Sequence, residues 1–291
     1  MNKKYKGIVY IIISAFCFML MNIFVRLSGD LPSIQKSFFR NFVAFLFAMV
    51  LMAKKKVWFS GNKENLKYLV CRSFFGTIGI LCNFYAVDHL LLADASMLNK
   101  MSPFFAVVFS YFILKEKVKP LQALAVAGAF LGSLFIIKPT VVGMEMLPAL
   151  IGLLGGMGAG LAYTFVRLLG ERGEKGPFIV WFFSGFSCLV TLPFLIFQYH
   201  PMTAGQTGIL LLAGLSAAGG QFAITAAYCY APAREISVYD YTQILFSAIF
   251  GFFLFGQVPD ALSFVGYFCI LAMAVLMFLY NNGKLPSRKR V

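Results

Sequence analysis

Charged side chains are scarce in this sequence: only 12% of its 291 residues are Asp, Glu, Lys or Arg. A soluble domain carries about a quarter of charged residues, so this chain has too few to cover a water-facing surface. Hydrophobic residues make up 60% of the chain, and the mean hydropathy is +0.82. This composition excludes a soluble domain of appreciable size and predicts a protein that crosses a membrane several times.

Motifs that indicate an enzyme or an ATP-driven pump are also missing. There is no HExxH, GxSG or P-loop motif, and Tyr239-Asp240 matches only the first half of the intramembrane aspartyl protease pattern. His89 and His200 lack metal-ligand spacing, and the six cysteines form no CxxC pair. We therefore expect no enzyme, metal or cofactor. The rival classes are an intramembrane enzyme and a channel, which would need a ring of like side chains.

Ten apolar runs alternate with short polar breaks along the chain. A membrane-spanning helix needs about 20 apolar residues, and the breaks contain clusters such as Lys54-Lys55-Lys56 and Pro259-Asp260. Runs of this length favour helices over barrel strands, which would alternate polar and apolar residues. The sequence predicts an all-α membrane protein with ten transmembrane helices, near 7–27, 34–53, 68–87, 93–114, 119–138, 148–168, 178–198, 207–230, 236–255 and 260–281.

The basic residues predict how these helices are oriented. With the N-terminus placed inside, only Arg26, Lys36 and Lys138 of the 25 Lys and Arg residues fall in outer segments, while Arg40 and Lys100 lie within helices. Because Lys and Arg accumulate on the cytoplasmic side, both termini of this multi-pass chain are expected in the cytoplasm, with the chain in the cell (plasma) membrane. Basic residues spread between apolar runs also argue against nucleic acid as a partner, despite the net charge of +14.

The two halves of the chain resemble each other at an offset of 141 residues. This offset aligns the apolar runs in order and places Phe24-Val25-Arg26-Leu27 over Phe165-Val166-Arg167-Leu168, and Gly79 over Gly220. Five helices is an odd number, so the second unit would enter the membrane in the opposite direction, as in inverted-repeat transporters. We predict two five-helix repeats, 1–141 and 142–291; the alternative is two unrelated halves with similar hydropathy.

Glycines recur at four-residue intervals in two of the runs. They are Gly152, Gly156 and Gly160 in the sixth run, and Gly128 and Gly132 in the fifth. Small residues at this spacing allow helices to approach closely. Close helix packing is the favoured interpretation, and flexing at a gate is the alternative.

Several short motifs make the chain similar to a known family. It resembles the drug/metabolite transporter (DMT) superfamily, EamA type, in Phe39-Arg40-Asn41, Ser102-Pro103-Phe104-Phe105, Leu114-Lys115-Glu116-Lys117 and Ile137-Lys138-Pro139. The second repeat departs from the first, with Gly256-Gln257 in place of Lys115-Glu116 and Ile244 in place of Pro103. The resemblance implies ten helices in two inverted units, a central cavity lined by helices 1–4 and 6–9, and peripheral helices 5 and 10.

Polar residues form one stripe in the fourth run and a matching stripe in the ninth. Ser96, Asn99, Lys100 and Pro103 share a helical face, and the offset aligns them with Ser237, Asp240, Tyr241 and Ile244. A charged side chain in a membrane must face a cavity, a partner or the interface. In the functional interpretation, Lys100 binds a substrate carboxylate or phosphate and Asn99 adds hydrogen bonds. In the alternative, Lys100 extends to the surface or pairs with Asp94 or Asp240.

Further candidate substrate-binding residues lie in other runs. Arg40 has the planar fork that fits a carboxylate; alternatively, it bonds a helix-end carbonyl or extends to the surface. Asn22 and Tyr163 coincide at the 141-residue offset and are expected to face one another. The remaining candidates, for which the alternative is hydrogen bonding between helices, are Asn83, Gln221, Tyr239 and Gln243.

These features together predict a secondary transporter that works by alternating access. The favoured substrate is a small organic metabolite with a carboxylate, such as an amino acid or a derivative, because Arg40 and Lys100 would make the outer half of the cavity positive. The alternative is an exporter of drugs or apolar organic cations, attracted by Asp240 and the tyrosines. The expected partners are a small-molecule substrate and the lipid bilayer, and the sequence leaves open whether the chain forms a homodimer.

Overall fold

The computed structural model describes residues 3–54, 56, 63–115, 119–137, 146–230 and 237–281. These residues form helices joined by short turns, with no strand among them. The predicted breaks at Lys55, Glu116-Lys117, Pro139 and Pro232 lie outside the described residues. The helices are α1 (Lys3–Leu27), α2 (Ser33–Lys54), α3 (Leu66–His89), α4 (Leu92–Asn99), α5 (Ser102–Ile113), α6 (Pro120–Ile137), α7 (Met146–Glu171), α8 (Gly176–Phe197), α9 (Ala204–Tyr230), α10 (Thr242–Phe255) and α11 (Ala261–Asn281).

Most of these helices have the length and composition of membrane spans. Seven are long and apolar enough to cross a bilayer, namely α1, α2, α3, α7, α8, α9 and α11, and two shorter apolar stretches are Pro120–Ile136 and Tyr239–Phe255. Large apolar side chains such as Phe197, Phe253 and Phe268 are highly exposed, which fits a lipid-facing surface. The described part of the chain is therefore all-helical, and its seven long apolar helices are typical of a multi-pass membrane protein.

The fourth apolar run, predicted as a span over 93–114, is not one continuous helix. α4 ends at Asn99, α5 begins at Ser102, and Lys100 and Met101 lie between them. Pro103 occupies the first turn of α5, where its missing N–H is tolerated. It ends the regular hydrogen-bonding pattern of the preceding turn. A similar irregularity precedes α10, where Ser237–Tyr241 forms a 3₁₀ helix.

Gly256 ends α10 in the way that glycine most often ends a helix. Its backbone is left-handed, with φ of 62°, a conformation that glycine adopts without the steric penalty of a side chain. Its N–H donates to Phe252 O, and the N–H of Gln257 donates to Gly251 O, which satisfies two helix-end carbonyls. Gln257 aligns with Glu116 at the 141-residue offset. Its Oε1 atom accepts a hydrogen bond from the backbone N–H of Leu92, at the start of α4, at 2.9 Å.

Each major helix contact joins the first half of the chain to the second. The largest contacts are those of α1 with α9, α3 with α7, α2 with α8, and α6 with α11, and α4 also contacts α10. When the halves are exchanged at the 141-residue offset, the α1–α9 pair becomes the α7–α3 pair, and the α2–α8 and α6–α11 pairs map onto themselves. The offset aligns α4 and α5, taken as one interrupted span, with the 3₁₀ helix Ser237–Tyr241 and α10. α6 and α11 pack mainly against each other, at the periphery.

The glycines of α7 allow it to approach α4 and α5 very closely. A Cβ atom at Gly156 would lie 2.5 Å from Leu98 O, and one at Gly160 would lie 2.6 Å from Ser102 O. Real Cβ atoms do not come this near to a backbone oxygen. These glycines of α7 therefore lie at close contacts between helices, which is the favoured interpretation of their spacing.

Candidate functional site

A cavity of about 90 Å³ lies between the two halves. Its lining side chains come from α1, α2, α3 and α4 of the first half and from α7, α8, α9 and α10 of the second. When α4 and α5 are counted together as the fourth of ten helices, these are helices 1–4 and 6–9, which the family resemblance places around the cavity. Eight of the candidate residues line it: Asn22, Arg40, Asn83, Asn99, Lys100, Tyr163, Gln221 and Gln243.

Three candidates, Tyr239, Asp240 and Tyr241, are not among the lining residues and lie in the 3₁₀ helix instead. Asp240 accepts a hydrogen bond from Lys100, and the Tyr241 hydroxyl donates to the Lys100 carbonyl at 3.1 Å. The Tyr239 ring packs edge-to-face against Phe278. The predicted stripe of the ninth run is thus close to the stripe of the fourth, but it contacts the helix break and does not line the cavity.

Lys100 forms a buried ion pair with Asp240. The Lys100 Nζ and Asp240 Oδ2 atoms are 2.6 Å apart, and the two side chains are only 7% and 13% exposed. Asp94, the other acid considered as a partner for Lys100, accepts a hydrogen bond from the Tyr267 hydroxyl at 2.6 Å. The structure therefore favours pairing with Asp240 as the role of Lys100, although Lys100 also lines the cavity.

Arg40 is held inside the protein by residues of α2 and α8. Its side chain is buried, and its Nη1 atom donates to Asn41 Oδ1 at 2.6 Å. Asn41 is fixed in turn by hydrogen bonds to Ser37 and to Ser187 of α8. Among the described residues Arg40 contacts no helix-end carbonyl, and it does not extend to the surface. Both structural alternatives for Arg40 were therefore wrong.

Arg72 of α3 is the main lining residue that the sequence analysis missed. It was counted among the cytoplasmic basic residues because it lies near the start of the third run. In the structure it is only 4% exposed, lines the cavity, and stacks on the Phe183 ring with Cζ 3.7 Å from the centroid. A signal was present: Arg72, Gly76, Gly79 and Asn83 lie at helical spacing and form one polar and small face.

Amide and hydroxyl groups supply the rest of the polar lining. Asn83 Nδ2 donates to Asn22 Oδ1 at 3.3 Å, whereas Asn83 Oδ1 has no hydrogen-bond partner within the described part of the chain. Tyr163 is 41% exposed and lines the same cavity as Asn22. The cavity thus offers several hydrogen-bonding groups in addition to its cations.

Polar contacts also connect the ends of α1, α2 and α3. Lys36 is fully buried, and its Nζ lies 2.6 Å from Asp88 Oδ1. Arg26 donates to the carbonyls of Leu90 and Val87, at 2.6 and 3.2 Å. Lys36 and Lys100 are both neutralised by acids, so the expectation that Lys100 helps make the outer half of the cavity positive was wrong. Among the described residues no group of three His, Cys, Asp or Glu side chains is arranged to hold a metal ion.

The chain is similar to a known protein family, to single proteins of several organisms and to a solved structure. The pattern of the EamA-like transporter family matches residues 5–138 and again residues 146–279. The chain is 31% identical over 279 residues to the pseudopaline exporter CntI of Pseudomonas aeruginosa, covering 95% of this chain and 97% of that protein. It is 26% identical to human solute carrier family 35 member G1, covering 92% of this chain and 78% of the relative.

A solved crystal structure has the same fold. It superposes with a TM-score of 0.69 over 97% of this chain and 100% of that chain, at 12% sequence identity. At this identity the match shows the fold alone. The two family matches leave only short segments of the chain uncovered, at its ends and between residues 138 and 146.

Proposed function

The chain belongs to the EamA-like transporter family, and from that premise we propose that it is a secondary transporter of a small organic metabolite that carries a carboxylate. An amino acid or an amino-acid derivative is the substrate type that we favour. The protein needs no ATP in this proposal and works by alternating access. The export role in the name of the Pseudomonas relative supports export as the direction.

The observation that carries the proposal is a buried cationic cavity between the two halves. Arg40 and Arg72 both line it, and a guanidinium group matches the planar geometry of a carboxylate. Ionisable residues inside a membrane protein are costly and mark substrate pathways. A central site between two related units is also the usual place for substrate in inverted-repeat transporters.

The membrane arrangement is part of the proposal. We propose ten transmembrane helices in two inverted five-helix repeats, 1–141 and 142–291, with α4 and α5 forming one interrupted span. The exchange symmetry of the helix pairs supports this arrangement. With both termini in the cytoplasm and the protein in the plasma membrane, the distribution of Lys and Arg follows the positive-inside rule.

The size of the cavity supports a mechanism in which helices move apart. Ligand pockets for drug-sized molecules measure about 300–1,000 Å³, whereas this cavity measures about 90 Å³. Substrate entry and release therefore require separation of helices on one side at a time. The α1–α9 and α3–α7 pairs, which correspond when the halves are exchanged, are the candidates for the two gates.

The alternative function, export of apolar cations, is less favoured because it depends on Asp240 to attract the cation. A cationic substrate would need an acid that is free to bind it. Asp240 is paired with Lys100 through Oδ2 and is not a lining residue. Among the described residues that line the cavity, none is an acid.

Counterflow in proteoliposomes tests the proposed function. Vesicles that contain the purified protein are preloaded with single unlabelled amino acids or organic acids, and uptake of the same radiolabelled compound is measured. We expect saturable uptake of at least one carboxylate, stimulated by internal substrate. Arg40→Gln should abolish this uptake, while Arg167→Gln, which removes an exposed charge on α7, should retain it. Flux without saturation or counterflow would indicate a channel, and counterflow of organic cations alone would support the alternative exporter.

A further inference from the structure

Two arginines from neighbouring helices meet at one aromatic ring of the cavity. The Cζ atom of Arg72 lies 3.7 Å from the centroid of the Phe183 ring, and the Cζ atom of Arg40 lies 5.9 Å from the same centroid. Both side chains are buried and both line the cavity. We refer to Arg40 and Arg72 as the arginine pair.

No carboxylate in the described part of the chain neutralises the arginine pair. Ion pairs in this part of the chain include Lys36 with Asp88, Lys100 with Asp240 and Arg167 with Glu171. An isolated charge is costly inside a membrane protein, and a second like charge nearby adds repulsion. The cavity therefore carries two positive charges for which the described residues provide no counter-ion.

The hydrogen-bond donors of the arginine pair are largely unused. Arg40 donates through Nη1 to Asn41, but the Nε atoms of both arginines and Nη1 of Arg72 have no acceptor within the described ranges. Buried donors are normally satisfied, so these atoms indicate a missing acceptor. A bound carboxylate supplies two oxygens in the planar geometry that a guanidinium fork requires.

Gly76 provides the room that the Arg72 guanidinium occupies. A Cβ atom at position 76 would overlap Arg72 Nη1 and would lie 3.0 Å from the Phe183 ring. Glycine at this position lets the guanidinium lie against both α3 and the ring. The position of Arg72 in the cavity is therefore defined by packing on two sides.

We propose that the arginine pair binds two anionic groups of one substrate, so that the transported metabolite is a dicarboxylate and not a monocarboxylate. This inference rests on the proposed function and narrows its substrate class. Two carboxylates balance the two charges, and each guanidinium takes one of them in a bidentate contact. Both guanidiniums lie within 6 Å of one ring centroid, so a single small molecule reaches both.

The test compares each dicarboxylate with the amide that differs from it by one charge. The pairs are succinate and succinamate, glutarate and glutaramate, L-aspartate and L-asparagine, and L-glutamate and L-glutamine. The midpoint of thermal unfolding of the purified full chain in detergent is measured against ligand concentration, because a ligand that binds the folded state raises it. At least one dicarboxylate should bind about tenfold or more tightly than its amide, the expected effect of losing a charge-assisted bidentate contact.

Variants test whether the arginine pair causes this preference. Arg72→Gln should bring the affinities of acid and amide close together, and Gly76→Ala, which keeps both charges but displaces Arg72, should weaken the preference. Arg167→Gln is the matched control that removes a charge outside the cavity and should keep the preference. An unchanged preference in Arg72→Gln would overturn the inference. The wild-type comparison needs no variant, so it stands even if Arg72→Gln does not fold.

The outcomes separate this inference from the proposed function. Equal affinities for acid and amide overturn the dicarboxylate inference but leave a carboxylate transporter. Absence of binding by every acid and every amide overturns the carboxylate assignment together with the inference. Binding of glycerol 3-phosphate with no binding of any dicarboxylate assigns the arginine pair to a phosphate and overturns the dicarboxylate class.

Discussion

The ion pair between Lys100 and Asp240 should behave as one structural unit when it is mutated. Lys100→Met removes the ammonium group but keeps most of the apolar stem, and Asp240→Asn removes the charge of the acid while preserving its shape. Each single variant leaves the other charge buried without its partner. Because the atoms are 2.6 Å apart and the side chains are 7% and 13% exposed, each single change should cost about 3–5 kcal/mol of stability.

The double variant Lys100→Met/Asp240→Asn should lose much less stability than the two single changes added together. Removing both charges leaves no unpaired ion, so we expect a coupling energy of about 3 kcal/mol. Denaturant-induced unfolding of the purified variants in detergent micelles measures it. Additive losses in the double variant would refute the buried ion pair.

Transport by the same variants separates the two interpretations of Lys100. If Lys100 serves mainly to pair with Asp240 at the helix break, the single variants lose counterflow and the double variant regains it. That recovery is what we expect, because the ammonium group is already occupied by an acid. A stable double variant that remained inactive would instead assign Lys100 directly to the substrate.

Two further predictions concern packing and topology. Gly156→Ala should destabilise the protein by about 1–3 kcal/mol, because its Cβ would lie 2.5 Å from Leu98 O. Gly170→Ala is the control, since a Cβ at that position meets nothing within 4 Å. Equal midpoints of thermal unfolding for the two variants would contradict the close contact. In a cysteine-free background, His200→Cys should react with an impermeant thiol reagent added to intact cells, and Glu171→Cys only after permeabilisation; labelling of both from the same side would contradict the proposed orientation.

Helix positions followed from the sequence because they depend on local hydropathy. Eight of the ten predicted spans correspond to one helix each, within a few residues at most described ends, and the fourth and ninth correspond to two helical segments each. Proline disfavours a continuous helix in the turn before it, so Pro103 carried a signal for the break at Lys100 and Met101, but the run was predicted as one span. Hydropathy cannot distinguish an interrupted apolar run from a continuous one.

The site was less predictable because its charges are defined by long-range packing. The partner of Lys100 is 140 residues away in the chain, so the sequence left Asp94 and Asp240 as equal alternatives. Arg72 was assigned to the cytoplasmic side because a basic residue near the end of a span usually anchors it there. Only the packing of α3 against α8 places its guanidinium on Phe183, and no local pattern specifies that ring.

Gly79 and Gly220, which align at the 141-residue offset, both lie at close contacts between two helices. Gly79 lies where α3 meets α7, and a Cβ there would be 3.0 Å from the Ala159 backbone nitrogen. Gly220 lies where α9 meets α1, and a Cβ there would be 2.9 Å from the Phe18 ring. The two glycines occupy corresponding positions in the two proposed gates, but one faces a backbone and the other a side chain. The Ser14 hydroxyl also donates to the Gly220 carbonyl at 2.8 Å, so opening the α1–α9 contact would break a buried hydrogen bond between the two helices as well as this close packing.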